Sequence, residues 1–310
     1  MSSKLKSRLF ALVTLLIFIA ALWVLHKSLA DMNWADVRAH ISALPPSHLG
    51  MALLFVMGSY LALSFHDFLA VRFVGSTLSW RAVAPTAFIA VAVGQNLGVT
   101  TLTGGAVRLH DYSRKGLSTA QVGGIVAMCA ITFALGVNLL LDFSLLFEPQ
   151  LAAQILHIEP AAARWLGVAN IGFLLGWFWL TAARSDKPFT LGGHRFTPPR
   201  ASLTLRQIVV GALDLSCSAA ALYWLLPDLG SVGFAAFLGS YVLAMAAGII
   251  SNVPGGLGVF ETMLLLTLPE VPKAELIGGA LAFRACYFLL PFMLALILLG
   301  ARELPRLWRR

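Results

Sequence analysis

The sequence predicts an all-α polytopic membrane protein with about six full spans and two oppositely oriented re-entrant, broken-helix hairpins arranged as a pseudo-inverted repeat. Three observations carry this. The 310 residues are 59% hydrophobic and only 12% charged, with a mean hydropathy of +0.84, whereas soluble domains carry about 25% charged residues. Apolar runs of bilayer length recur along the chain. Two further apolar segments are interrupted by polar and glycine clusters.

A bilayer core needs about 20 apolar residues per helix, and by that measure spans fall near 9–27, 48–71, 118–147, 164–183, 205–226 and 274–300. Lys4, Lys6 and Arg8 precede the first, and Ser28-Leu29-Ala30 after it resembles a cleavage site. The apolar stretch from Leu9 to Leu25 nevertheless outruns the roughly 7–15 residues of a signal peptide, so an uncleaved anchor is expected. Trp34, Val37, Ile41 and Leu44 then recur at helical spacing among Asp36, Arg38 and His40, predicting a short amphipathic helix on the outer surface. Gly172 and Gly176 form a G-x-x-x-G pattern suited to close helix packing. The segment 184–204, with Pro188, Gly192, Gly193, Pro198 and Pro199, reads as a cytoplasmic linker. It divides a single transmembrane domain, 1–310, into a first half of about 1–183 and a second of about 205–310.

The interrupted segments are 82–104 and 233–268, and the charges decide how they run. If each dips in and returns to the side it entered, only Lys27, Arg38, Arg164 and Lys273 lie outside. Every other lysine or arginine of the 22, save Arg284 within the membrane, then lies inside, as the positive-inside rule requires. A full span at 82–104 would instead strand the basic loop Arg184–Arg206 outside. Both termini of this multi-pass protein are therefore expected in the cytoplasm. The excess of 22 basic over 14 acidic residues belongs to this topology and not to a nucleic-acid surface. Cys129, Cys217 and Cys286 lie inside apolar runs with no C-x-x-C, which supports neither a disulfide framework nor a zinc site. No metal or other cofactor is expected.

Each half offers a broken hydrophobic segment, a glycine pair and then a charge. Gly94-Gln95-Asn96 and Gly104-Gly105 lead to Arg108 in one; Asn252, Pro254, Gly255, Gly256 and Gly258 lead to Glu261 in the other. Broken helices that enter from opposite sides build the midplane sites of many transporters, because irregular backbone at membrane depth is tolerated only against protein or a watery cavity. Asp67 beside His66, Arg108, Asp142, Asp214, Glu261 and Arg284 are ionisable residues within apolar stretches, and such residues face the bundle interior with a partner or a task. Asp142, near the outer end of its helix, is expected to be a solvated interface group. Arg108 and Glu261 are expected to approach each other or to share a cavity.

These residues also resemble a family. His66-Asp67-Phe68-Leu69-Ala70-Val71-Arg72 is similar to the "YDLLALR" element of the transmembrane flippase region of lysylphosphatidylglycerol synthases. Thr103–Arg108 followed by Gly116-Leu117-Ser118 resembles its "GGxxR…GLS" element, Ser251–Glu261 its "S-x-x-PGGLGVFE" element, and Phe283–Pro291 its "YRxxYYLLP" element. The resemblance runs over about 50–300 and implies translocation of a charged phospholipid between leaflets, with Asp67, Arg108, Glu261 and Arg284 as the functional charges. Two departures stand out. His66 and Phe283 replace the family's usual tyrosines, and the aminoacyl-transferase domain that would name the lipid is not among these residues.

The expected function is thus a lipid flippase and not an enzyme: there is no G-x-x-x-x-G-K-[ST], no H-E-x-x-H and no closely spaced carboxylate pair. The alternatives are a small-solute secondary transporter and a non-transporting subunit of a lipid- or glycan-modifying system. The candidate substrate-binding residues are Asp67, Arg108, Glu261, Arg284, Asp214, Asn96 and Asn252, with Gly104, Gly105, Pro254, Gly255, Gly256 and Gly258 shaping the breaks. Arg108 and Arg284 would hold a phosphate while Glu261 and Asp67 receive a cationic group. A membrane phospholipid is the expected partner, and a separate lipid-modifying enzyme and a second copy of the chain are further candidates.

Overall fold

The computed structural model describes residues 34–97, 100–184, 189–191, 194–196, 198–226, 229–230, 232–251, 256 and 258–307. The first expected span, 9–27, lies outside the described residues.

A short helix α1 (Trp34–Ala43) leads into α2 (Pro46–Phe73), which starts on Pro46, where a missing N–H costs nothing. α3 (Trp80–Leu97) and α4 (Thr100–Arg114) follow. α5 (Thr119–Phe147) opens with a capping box in which the Ser118 hydroxyl accepts from the Gln121 N–H and the Gln121 side chain accepts from the Ser118 N–H. α6 (Pro149–Leu156) and α7 (Pro160–Ala183) each begin on a proline. A small antiparallel ribbon, β1 (Phe189–Leu191) with β2 (His194–Phe196), occupies the linker. The second half holds α8 (Ala201–Trp224), α9 (Phe234–Ile250), α10 (Val259–Thr267) and α11 (Lys273–Phe283). α11 continues through a π-helical turn (Arg284–Leu289) into α12 (Leu290–Leu307). Among the described residues, α2, α5, α7, α8 and the continuous rod Lys273–Arg302 are long and apolar enough to cross a bilayer.

The bundle is organised around α2, α5 and α8. α2 and α8 run antiparallel, with Ser59 against Asp214 and Gly58 against Cys217. α5 and α8 run parallel: the Gln207 amide donates to the Thr132 hydroxyl at 2.9 Å, and one turn further on Gly136 lies against Gly211 so closely that a Cβ on Gly136 would collide with the Gly211 backbone and one on Gly211 with the Thr132 carbonyl. Such small-residue contacts replace the hydrophobic effect, which lipid does not supply between helices.

Both broken segments are helical hairpins. α3 and α4 are antiparallel, with Gly104 against Ala90 and Lys115 reaching the Ala82 carbonyl. In the second, the Tyr241 ring meets Phe260, and Gly248 meets Gly256. The mouth of the first lies at the start of α5, where Gln121 donates to the Val74 carbonyl at the end of α2. α9 instead begins near the other end of α5, with Gly239 against Ser144 and Leu151, and α10 packs on α6 there. The hairpins therefore open at opposite ends of the bundle. Arg72, Arg81, Arg114, Lys115, Arg200 and Arg302 belong to the first end, and Arg38, Arg164 and Lys273 to the other.

Three expectations change. α1 does not lie on the surface alone: His40 Nε2 donates to the Leu225 carbonyl at 2.8 Å, its ring fills the space left by Gly278, and Leu44 is buried. Gly172 and Gly176 pack against nothing within 4 Å, because α7 is peripheral and its Trp165, Phe173 and Trp179 are exposed. Asp142 is buried and accepts from Asn170 Nδ2 at 2.8 Å, since α7 covers it and keeps water off.

Candidate functional site

The mouth of the first hairpin is laced by polar bonds. Lys115 Nζ donates to the Ala82 carbonyl and to the Thr86 hydroxyl, each at 2.7 Å, and that hydroxyl donates to Asp111 at 3.0 Å. Arg302 of α12 reaches the same Asp111 oxygen at 3.4 Å. Half-burial of the Lys115 ammonium lowers its pKa, with Asp111 opposing the shift.

Further along α4, Arg108 projects into the interior. Its Nε donates to Asp67 Oδ1 at 2.8 Å and its terminal nitrogen to Oδ2 at 2.7 Å, the bidentate fork that a guanidinium makes with a carboxylate. Tyr112, four residues on and so on the same helix face, donates to Oδ1 at 2.9 Å, and Cys129 of α5 contacts Oδ2 at 3.6 Å. The Asp67 side chain is fully buried and that of Arg108 is 7% exposed. Gly104 makes room for this: a Cβ there would stand 2.7 Å from the Ala90 carbonyl and 3.2 Å from the guanidinium. The carboxylate's acceptor sites are filled by groups from α4 and α5, so the pair ties α2, α4 and α5 together.

The second pair is built differently. Gly258, at φ +79°, takes a backbone conformation that side chains resist, and serves as the N-cap of α10. Its N–H donates to Glu261 Oε2 at 2.9 Å, and Glu261 Oε1 accepts from Arg284 Nε at 2.6 Å. The Arg284 and Glu261 side chains are 11% and 18% exposed. One carboxylate oxygen thus holds a helix end and the other holds the first residue of the π-turn.

That turn joins everything else. The Tyr287 hydroxyl bonds to the Ser59 hydroxyl at 2.7 Å, and Ser59 donates to Asp214. The Tyr60 hydroxyl donates to the Tyr287 carbonyl at 3.1 Å, and Asn96, near the tip of the first hairpin, donates to the Phe288 carbonyl at 3.2 Å. π-turns inside α-helices recur at functional sites, and this one connects both hairpins with α2 and α8. Beside it, Leu54, Met57 and Leu61 leave an open apolar surface on the exposed face of α2.

The expected approach of Arg108 to Glu261 gives way to two separate pairs, Arg108 with Asp67 and Arg284 with Glu261, because each arginine meets an acid on a helix packed directly against it. Asn96 and Asp214 join the polar group around the π-turn. Asn252, Pro254 and Gly255 lie outside the described residues. Sequence reasoning missed Tyr112, Ser59, Tyr60, Cys129 and Tyr287 as partners. Only Tyr112 carried a signal, its spacing of four from Arg108.

With this geometry in hand, the comparisons with known proteins are direct. The sequence model of the lysylphosphatidylglycerol synthase TM region matches residues 11–295. The Synechocystis protein slr0712 is 30% identical over 293 residues, covering 93% of this chain and 89% of that protein. The inner membrane protein YbhN of Escherichia coli is 27% identical over 289 residues, covering 92% and 90%. A phosphatidylglycerol lysyltransferase of Staphylococcus aureus is 24% identical over 311 residues, covering 96% of this chain but 35% of the longer enzyme.

Proposed function

The chain belongs to the lysylphosphatidylglycerol synthase transmembrane-region family, and on that premise we propose that it is a lipid translocase of a bacterial inner membrane, carrying a charged phospholipid headgroup between leaflets. It works as a carrier and not as a catalyst; the transferase named in the Staphylococcus aureus relative belongs to a protein of which this chain matches 35%. The inner-membrane location follows the name of the Escherichia coli relative, and the basic end of the bundle faces the cytoplasm.

The observation that carries the reading is the Glu261–Arg284 pair. It lies within apolar helices, its two side chains meet through Arg284 Nε and Glu261 Oε1, and both stay partly exposed. A headgroup phosphate can take Arg284 in place of Glu261, trading one charge-assisted bond for another. Glu261, released but still held by the Gly258 N–H, then accepts a cationic group on the same lipid. Arg108 has no such freedom, since its partner is sealed in. The cradle therefore centres on Glu261 and Arg284, with the first pair as its support.

The test is a leaflet-asymmetry assay in proteoliposomes with fluorescent lipids of different headgroup charge. Wild type should move a charged lipid faster than a neutral one, and Glu261→Gln should lose that preference. Equal scrambling of every lipid by both proteins would exclude the cradle. No movement by wild type under any imposed ion gradient would favour a non-transporting subunit.

A further inference from the structure

Of the intramembrane carboxylates that meet around α2 and α8, Asp67 has Arg108, while Asp214 has no basic partner among the described residues. It is 3% exposed in the middle of α8, where an anion without a counter-charge is not tolerated. Its surroundings are hydroxyls and thiols. The Ser59 hydroxyl of α2 donates to it and bonds to the Tyr287 hydroxyl of the π-turn, while Tyr60 of α2, Tyr241 of α9 and, on its own helix, Cys217 are the other titratable groups within electrostatic reach. Asp142 is the acid on neighbouring α5, and its hydrogen bond goes to Asn170 of α7. His66 and Asp67 lie about two turns further along α2.

We propose that Asp214 is a proton-binding site, neutral in the state described, whose loss and gain of a proton drives the exchange at Arg284; the coupling to transport rests on the translocase reading above. The chain of contacts supplies the mechanism. Asp214 is joined through Ser59 to the Tyr287 hydroxyl, and Tyr287 is three residues from Arg284 in the same π-turn. When the proton leaves, the new carboxylate demands stronger donors and a cation, and the π-turn carries both. Re-winding the turn toward Asp214 draws Arg284 off Glu261 and opens the pair to a headgroup. A proton rebinding from the other aqueous face removes that demand and returns Arg284 to Glu261. One proton is taken up on one side and released on the other, with no bond made or broken beyond the carboxyl O–H.

The test uses the full chain in nanodiscs and in proteoliposomes. Infrared difference spectra should contain the C=O stretch of a protonated carboxyl group at neutral pH. Part of that band should disappear on alkalinisation, be absent from Asp214→Asn and persist in Asp142→Asn. Ser59→Ala and Tyr287→Phe, which keep the carboxyl, should move the pH at which it disappears. In proteoliposomes a pH gradient should accelerate lipid movement by wild type, and Asp214→Asn should lose the difference between rates with and without the gradient. No Asp214 band, or acceleration by a sodium gradient in place of a pH gradient, would overturn the proposal. An Asp214 band that titrates in a protein moving no lipid would leave the proton site standing and overturn the translocase reading and the coupling.

Discussion

The two hairpins hold the same kind of charge pair in contrasting settings. In the first, Arg108 closes on Asp67 with two hydrogen bonds, while Tyr112 and Cys129 fill the remaining positions and the hairpin mouth is stitched by Lys115, Thr86 and Asp111. In the second, Arg284 meets Glu261 through one hydrogen bond beside a glycine cap and a π-turn, and both side chains remain partly exposed. A pair buried this deeply resists exchange, because any competitor must first strand a buried charge. A pair left partly exposed can trade partners. The contrast assigns holding to one hairpin and working to the other, and it can be probed by substitution.

The largest expected effect is on folding. Arg108→Ala leaves the Asp67 carboxylate buried and unpaired, which should cost about 3–5 kcal/mol, read as a lost or greatly lowered unfolding transition in detergent. Adding Asp67→Asn to that variant should restore part of the loss; no recovery would mean that packing and not charge holds the site. Gly104→Ala should come next, at about 1–3 kcal/mol by the same measurement, because the new Cβ must push against the Ala90 carbonyl and the Arg108 guanidinium. Gly105→Ala, whose Cβ would meet only Val126 at 3.7 Å, is its control.

Arg284→Ala should destabilise less than Arg108→Ala, because the Gly258 N–H still donates to the Glu261 carboxylate and both side chains are partly exposed, yet abolish lipid movement in proteoliposomes. Arg284→Lys should recover little movement, since a point charge does not reproduce the planar fork. If Arg284→Ala instead destabilises as much as Arg108→Ala, the division between the hairpins fails. The smallest effect belongs to Gly172→Ala with Gly176→Ala, which should stay within about 0.5 kcal/mol, as nothing lies within 4 Å of either glycine. A larger loss, appearing together with a change in oligomeric state, would place that face against a second copy.

Most of the scaffold could be read from the residues alone, because bilayer thickness sets helix length and the basic residues mark one side. The spans expected at 48–71, 118–147, 164–183 and 205–226 are the helices 46–73, 119–147, 160–183 and 201–224. The re-entrant reading of 82–104 rested on charge and fits the hairpin of α3 and α4. Partnership was harder. Arg108 and Asp67 are 41 residues apart, Arg284 and Glu261 23, and nothing in spacing says which acid lies at which depth on the facing helix. The π-turn was invisible, since a change of hydrogen-bond register has no composition. Ser59 and Tyr287 are ordinary polar residues of apolar helices until Ser59 is seen to bridge the Tyr287 hydroxyl to Asp214.

One joint in the bundle has a consequence for how such a protein is dissected. Gly136 and Gly211 bring α5 of the first half and α8 of the second into backbone contact, running the same way. A survey that truncates side chains one by one to alanine looks for function by subtraction, and here there is nothing to subtract. The fixed post against which both hairpins would have to swing answers only to addition: a single methyl group at Gly136 or Gly211 acts as a wedge between the halves, and graded insertion of Ala, Ser and Val there would read out how much play the machine tolerates at its axle.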